Sequence, residues 1–305
     1  MKKIFEVCVY HAFCNDGQMA ATVAKKYHNE NGKDLKLIEG IHGKDLDPEV
    51  FRDKKVLMVD FAPKEDNLLE IIKVAKTVTI IDHHVTAKDM LDGLNEEDVK
   101  TIFDNEESGA TLTWQYFYPN TKTPEIVLDV KDRDIWEWKR NNTKYTTEIL
   151  FATPFVLEEW LSFLYDNLKL RDEKYFQTIE AGKILLKKKE FEVEKAMKLA
   201  FPATINVNGN VFNVIVNNVS KDIESDLMNR LLIEDVDKIY DFALNIKFKG
   251  NGKISMSFRS TNDRTDVSEI AKQFNGGGHR NASGGLTTIS ELFVMSRGIL
   301  DSMDG

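Results

Sequence analysis

Along the first third of the chain, short apolar runs alternate with amphipathic stretches. The runs are "IFEVCVY", "KLIEG", "KKVLMVDFAP" and "TVTIIDHH". Helical spacing fills Gln18 to Asn29 and Lys64 to Lys76 between them. Continuous apolar strands separated by helices predict a parallel α/β sheet covered on both faces. In such open sheets ligands bind beyond the carboxyl ends of the strands. There the chain carries His11 to Asp16, Asp60, and Asp82 to His84. Three strand ends that deliver acids and histidines to one rim are hard to obtain by chance.

From Ser108 to about Ala200 the pattern is mostly helical. Ser108 fits an N-cap for "GATLTWQYF", and "EIVLDVKDRDIWEW" (Glu125 to Trp138) reads as one helix. Arg171 to Leu199 reads as a long amphipathic helix, with "KKK" on its solvated face. Past Pro202, "ATINVNGNVFNVIVNN" predicts a hairpin around Asn208-Gly209. "DFALNIKFKGNGKISMSFRS" predicts a second with Asn251-Gly252 at its tip, and helical patterns occupy Glu224 to Ile233 and Asp266 to Phe274. The expected organisation is a parallel-sheet domain over 1–170, a helical linker over 171–201, and a smaller α+β domain with a mixed sheet over 202–305.

Composition narrows the class. The chain has 305 residues, 42% hydrophobic and 30% charged, as in ordinary globular proteins. No apolar run approaches a membrane span. Met1-Lys2-Lys3 leads straight into a strand without a signal-peptide pattern, so the cytoplasm is the expected compartment. Two cysteines argue against a disulfide framework, and Cys8 reads as a small core residue. A net charge of −9 speaks against a grip on long duplex nucleic acid. It leaves short nucleotides open.

Asp82, His83 and His84 end a buried strand, where adjacent side chains point to opposite sides. One histidine can therefore hold a metal while the other faces a substrate, and Asp82 can orient a ring. Asp60 could cap the helix that follows or bridge two cations. Asp132 and Asp134 flank Arg133, and nothing local separates either of them, or Asp129, as a ligand. "FNGGGHRNASGG" (Phe274 to Gly285) offers glycines, among them Gly277 and Gly278, that let backbone approach a ligand. A helix start near Asn281 would then aim N–H groups at an anion, with His279 and Arg280 as further donors. Arg259 in "SFRS", with Ser260 beside it, could clamp a phosphate. Imidazoles with several carboxylates suit manganese, iron or cobalt better than a thiolate-rich zinc site does. No Walker-type loop and no GxSxG elbow is present.

Taken in order, "YHAFCNDG", "VLMVDFAP", "IDHH", "SGATLTW", "VKDRDIW", "SFRS" and "FNGGGHRNASGG" resemble the DHH phosphoesterase family together with its C-terminal substrate domain. The resemblance spans nearly the whole chain. That family includes nanoRNA-degrading enzymes, phosphatases of 3′-phosphoadenosine 5′-phosphate, cyclic-dinucleotide phosphodiesterases, single-strand exonucleases and exopolyphosphatases. It implies a metal-dependent phosphoesterase acting on short nucleotides through a metal-activated hydroxide. One or two Mn2+ ions are implied, with Mg2+, Co2+ or Fe2+ as substitutes. By resemblance the metal ligands are His11, Cys14, Asp16, Asp60, His83 and Asp132, with Asp134 the alternative to Asp132. His84 and Asp82 are the catalytic pair, and Arg259, Ser260, Gly277, Gly278 and His279 bind substrate phosphate.

The first motif departs from the family's D-x-D-G, reading Cys14-Asn15-Asp16-Gly17. His-x-x-Cys-x-Asp-Gly is similar to a branch called exopolyphosphatase-related. Cleavage of polyphosphate and a non-catalytic nucleotide- or metal-binding role are the competing readings. Trp114, Trp136 and Trp138 could stack on bases, although packing in the core is the commoner role for each. A homodimer is left open.

Overall fold

A computed structural model describes residues 3–95, 99–169 and 173–291. The chain divides into two compact units, and the division falls after Leu186. Each unit is taken by itself.

The first unit is built on five parallel strands: β1 (Val7–His11), β2 (Lys36–Gly40), β3 (Lys55–Val59), β4 (Thr77–Asp82) and β5 (Val99–Phe103). Their order is β2-β1-β3-β4-β5. Successive connections leave β1 in opposite directions across the sheet, so the crevice between the ends of β1 and β3 is a topological switch point. His11 ends β1, and Asp60 follows the last residue of β3.

Strand alternation builds a core on each face. Cys8, Tyr10, Leu57 and Val59 pack on one side with α1 (Asn15–Glu30). Val7, Val9, Val56 and Met58 pack on the other with α2 (Glu65–Val74). Cys8 is a core residue, as its strand position predicts. The short helix α3 (Val85–Asp92) and strand β5 complete this sheet and were not foreseen. Their apolar stretches are too short to show a period.

Helices α4 (Gly109–Phe117), α5 (Glu125–Asp134), α6 (Thr143–Ala152), α7 (Leu157–Lys169) and α8 (Glu173–Met197) follow. Ser108 caps α4 in a reciprocal capping box with Thr111. The expected helix from Glu125 to Trp138 stops early, at Asp134. There the backbone turns through left-handed residues, Trp136 (φ 60°) and Trp138 (φ 54°). The division between the units falls inside α8.

The second unit holds β6 (Phe201–Val207), β7 (Asn210–Asn217), α9 (Lys221–Glu234), β8 (Phe242–Phe248), β9 (Lys253–Arg259), α10 (Val267–Lys272), β10 (Gly277–His279) and β11 (Ala282–Thr288). Its six-stranded sheet runs β10-β11-β9-β8-β7-β6. It is mixed: β7 and β8 are parallel, joined across α9, and the other pairs are antiparallel. Asn208 and Gly209, both at positive φ, make the tight turn that Asn-Gly predicts. Among the described residues no helix is long and apolar enough to cross a membrane.

Candidate metal centre

At the switch point a cluster of acids and imidazoles gathers on three strand ends and two helices. Asp60 lies at its middle, buried. His83 Nε2 stands 3.1 Å from Asp60 Oδ1, His11 Nδ1 3.4 Å from Oδ2, and His84 Nδ1 3.7 Å from Oδ1. None of these contacts is a well-directed hydrogen bond. Both Asp60 oxygens and His11 Nδ1 are buried without a hydrogen-bond partner. A buried carboxylate without donors is costly. Burial alone would raise the Asp60 pKa, yet His11, His83 and His84 hold it well below the usual range.

Asp16 enters from the first turn of α1. Its carboxylate accepts the Gly109 N–H (2.6 Å) and the Ala110 N–H (3.0 Å), so it seats on the positive end of α4. Burial, then the charges of Asp60 and Asp134, push its pKa well up. A side chain at Gly109 would place Cβ 2.5 Å from Asp60 Cβ and 2.9 Å from Asp16 Oδ2. The glycine of "SGATLTW" thus lets α4 touch both acids. At Gly17, Cβ would fall 2.3 Å from the His11 carbonyl oxygen, which keeps the strand end against the helix start.

The aspartate–histidine pair on β4 works as its position suggests. Asp82 Oδ1 accepts from His84 Nδ1 at 2.7 Å and from the backbone N–H groups of His83 and His84. Burial lowers the His84 pKa, but the Asp82 hydrogen bond and the Asp60 charge override it and push it up to about 9. His83 faces Asp60, Asp134 and Asp16 instead. Burial opposes its charge, yet the Asp60 carboxylate 3.1 Å away and the charges of Asp134 and Asp16 push it up to about 11.

Asp132 does not join the cluster. It is buried, and its carboxylate accepts the N–H of Lys139 (2.8 Å), the N–H of Arg140 (3.1 Å) and the Thr143 hydroxyl (2.6 Å). It ties down the turn after α5. Asp134 reaches the site instead, with Oδ2 3.4 Å from His83 Nε2. Asp129 is committed elsewhere, to Arg140, Thr146 and Tyr175.

Three groups can each converge on one cation: His11 with Cys14 and Asp60, Asp60 with His83 and His84, and Asp16 with His83 and Asp134. The donor set and the unpaired Asp60 oxygens fit divalent metal. Burial, then the charges of Asp60, Asp134 and Asp16, push the Cys14 thiol well up. A thiolate there requires a bound cation to stabilise it.

His42 was missed. Its ring packs 4.7 Å from His11 and 5.8 Å from His84, and the three imidazoles form a further group able to converge. Loss of solvent around the ring, then His11 and His84, push its pKa down to about 4. The one signal in the sequence was its place two residues past the end of β2.

In the second unit, sheet register aligns the phosphate-binding candidates. Ala282 pairs with Arg259 on one side and with His279 on the other. Directly opposed residues share a face, so Arg259 and His279 flank a single methyl group in one row. Arg259 donates to the Phe258 carbonyl and the Ser225 hydroxyl, both at 2.8 Å. Ser260 is buried, and its N–H bonds the Asn281 carbonyl. The helix start expected near Asn281 is absent: Arg280 and Asn281 make the turn between β10 and β11. Arg280 pairs with Asp266 and bonds the Asn262 and Arg264 carbonyls. Two glycines of the triplet serve packing. A Cβ at Gly276 would lie 1.9 Å from the Gly284 oxygen, and Gly278 has φ 138°. Gly277 alone has open space where a side chain would stand.

Comparison with known proteins agrees with this arrangement. The model of the DHHA1 domain matches residues 207–292, in the second unit. An uncharacterized protein, R106 of Acanthamoeba polyphaga mimivirus, is 35% identical over 92% of this chain and 66% of its own length. The chain thus spans just under two thirds of that relative. Oligoribonuclease NrnB of Bacillus subtilis is 27% identical over 94% of this chain and 75% of its own. Among solved structures, an exopolyphosphatase-related protein from Bacteroides fragilis has a TM-score of 0.53 at 13% identity, covering 97% of this chain and 91% of that one. RecJ from Thermus thermophilus in complex with Mn2+ has a TM-score of 0.52 at 14% identity, covering 96% and 51%. At such identity the two structures share the fold. The second unit thus carries a stretch similar to the DHHA1 domain, and the chain shares its fold with the exopolyphosphatase-related protein and RecJ.

Proposed function

We propose that this chain is a divalent-metal-dependent phosphoesterase that hydrolyses phosphodiester or phosphomonoester bonds of short nucleotides. The observation that carries the reading is the buried Asp60 carboxylate, ringed by three imidazoles and lacking a hydrogen-bond donor at either oxygen. His11, Asp16, Asp60, His83 and Asp134 would hold the cations, with Cys14 as a further ligand. Manganese, iron or cobalt suits that set. Cations there would supply Lewis acidity toward a phosphoryl oxygen and lower the pKa of a water.

The chain's own groups do the rest. Asp82 fixes the His84 ring through Nδ1, which leaves Nε2 as the ring atom to meet a substrate oxygen. Asp16, seated on the α4 N-terminus, keeps its carboxylate in place as the charge nearby changes. Arg259, His279 and the Gly277 backbone supply donors for substrate phosphate. The name of the Bacillus relative, an oligoribonuclease, favours a short RNA substrate.

The test is a manganese-supplemented panel of dinucleotides, 3′-phosphoadenosine 5′-phosphate, cyclic dinucleotides and polyphosphate, run with wild type and Asp60→Asn. Turnover of a nucleotide that Asp60→Asn abolishes is the expected result. Turnover of polyphosphate alone, or none at all, would overturn the reading.

A further inference from the structure

Two of the chain's four tryptophans are core residues: Trp114 and Trp160 are buried. The other two are not, against the expectation that each would pack inside. Trp136 and Trp138 are 39% and 37% exposed. They stand on the turn that follows Asp134, two and four residues beyond it. At ~3.5 Å of chain per residue, both lie within about 14 Å of that acid along the backbone.

The pair is held in place. Both residues have left-handed backbone, a conformation that bulky side chains rarely adopt. Their N–H groups bond the Arg133 and Asp132 carbonyls. Asp132 fastens the far side of the turn through Lys139, Arg140 and Thr143. The indoles meet edge to face, with centroids 5.1 Å apart and planes at 83°. The Arg133 guanidinium lies 4.1 Å from the Trp136 ring centre and 4.9 Å from that of Trp138. Phe151, 47% exposed, is 5.6 Å from the same guanidinium. Packing alone does not account for three half-exposed rings gathered on one cation, on the turn that directly follows an acid of the metal cluster. Aromatic faces interleaved with arginine are the usual platform for unstacked bases.

We infer that Trp136 and Trp138, braced by Arg133, form a base-stacking subsite that holds the nucleobase next to the bond cleaved at the Asp134 side of the metal centre. This rests on the reading of the chain as a nucleotide phosphoesterase and deepens it, because polyphosphate has nothing to stack. Sequence readout is not expected, since every base presents a π face. Trp136→Leu and Trp138→Leu remove the platform, whereas Trp136→Phe retains an aromatic face.

The test compares a diadenosine ribonucleotide with its abasic analogue, which has the same sugar–phosphate backbone and no bases. In wild type the dinucleotide should quench tryptophan fluorescence and the abasic analogue should not. The Leu variants should lose about 5- to 150-fold of the preference in kcat/KM for the dinucleotide over the analogue, the equivalent of ~1–3 kcal/mol per stacked base. The loss should fall mainly on KM, and Trp136→Phe should recover most of it. Far-UV circular dichroism checks that each variant folds. Folded Leu variants with an unchanged preference would overturn the subsite and leave the phosphoesterase reading standing. A wild type that neither binds nor cleaves the dinucleotide would overturn both.

Discussion

Asp134 Oδ2 stands 3.4 Å from His83 Nε2, while Asp132, two residues earlier, faces the other way and binds three donors of its own turn. Two acids on one helix end thus have separate jobs. Asp134→Asn should weaken Mn2+ binding and turnover by about 100-fold or more, beyond the 10–100-fold of a group that only orients a ligand. Its midpoint in urea without metal should hardly move. Asp132→Ala should instead cost about 2–4 kcal/mol in urea unfolding, because three donors lose their acceptor in a buried place. Equal effects of the two substitutions on metal affinity would contradict this division.

Gly109 makes a sharper case. Alanine is the better helix former by ~1 kcal/mol. In open space Gly109→Ala would therefore stabilise the chain. Here the new Cβ would meet Asp60 Cβ at 2.5 Å and Asp16 Oδ2 at 2.9 Å. The backbone must shift, at a cost of about 1–3 kcal/mol for an overpacked site. The variant should melt lower and lose metal affinity together. A higher melting temperature would show that α4 can slide away freely.

Metal stoichiometry tests Cys14. Burial and three carboxylates keep its thiol protonated when no cation is bound. A hard ion such as Mn2+ gains little from sulfur. Equilibrium dialysis should find one tight Mn2+ per chain, with a second site filling only at much higher concentration. Cys14→Asp should tighten that second site. With Co2+, a thiolate-to-metal charge-transfer band should appear in wild type and vanish in Cys14→Ser. Two equally tight Mn2+ ions in wild type would count against a weak sulfur site.

His28 sets a pH dependence unrelated to the metal. It is fully buried, its Nε2 accepts the Phe5 N–H at 2.9 Å, and its Nδ1 donates to the Ala24 carbonyl at 2.7 Å. Burial lowers its pKa below the ordinary histidine value. The unfolded chain then binds the proton first. Stability should be fully present above the unfolded value of about 6.5 and fall as pH drops from there toward the folded pKa. Urea titrations of the metal-free protein at pH 8 and pH 5 should show the loss. His28→Gln should lower stability at pH 8 and flatten the slope between the two pH values. A slope unchanged by the substitution would assign it to other groups.

Much of this was legible in the sequence, for reasons that differ by element. Strands β1, β3 and β4 announced themselves because both of their faces are buried, which leaves an unbroken apolar run. His11, Asp60, His83 and His84 followed, because the first polar residue after such a run must emerge at the rim. The last acid, Asp134, did not follow. Asp132 and Asp134 sit about 200° apart on a helix of 100° per residue, so only one can face the site. The choice is made by the turn at Trp136 and Trp138, which uses Asp132 as its anchor. Helical spacing ran through that turn because tryptophan gives no warning of a left-handed backbone. His42 sits in a connection without periodicity. The glycine triplet after Asn275 also carries a packing duty that its sequence did not show. Gly276 is dictated by a contact with Gly284 across a hairpin, and a long-range packing contact looks the same in sequence as a ligand-binding loop.

Asp60 has φ 54°, so the residue at the centre of the cluster is also one of the few left-handed positions in its unit. Among side chains with a carboxylate, aspartate tolerates that conformation far better than glutamate. Backbone and chemistry therefore select the same residue twice. Asp60→Glu, a conservative change by charge, should damage the site about as badly as Asp60→Ala, whereas Asp60→Asn should preserve the chain's path and discard only the charge. The centre of this cluster has almost no neutral neighbours in sequence space. A homologue that has shed its activity would be recognised first by asparagine or glycine at this position.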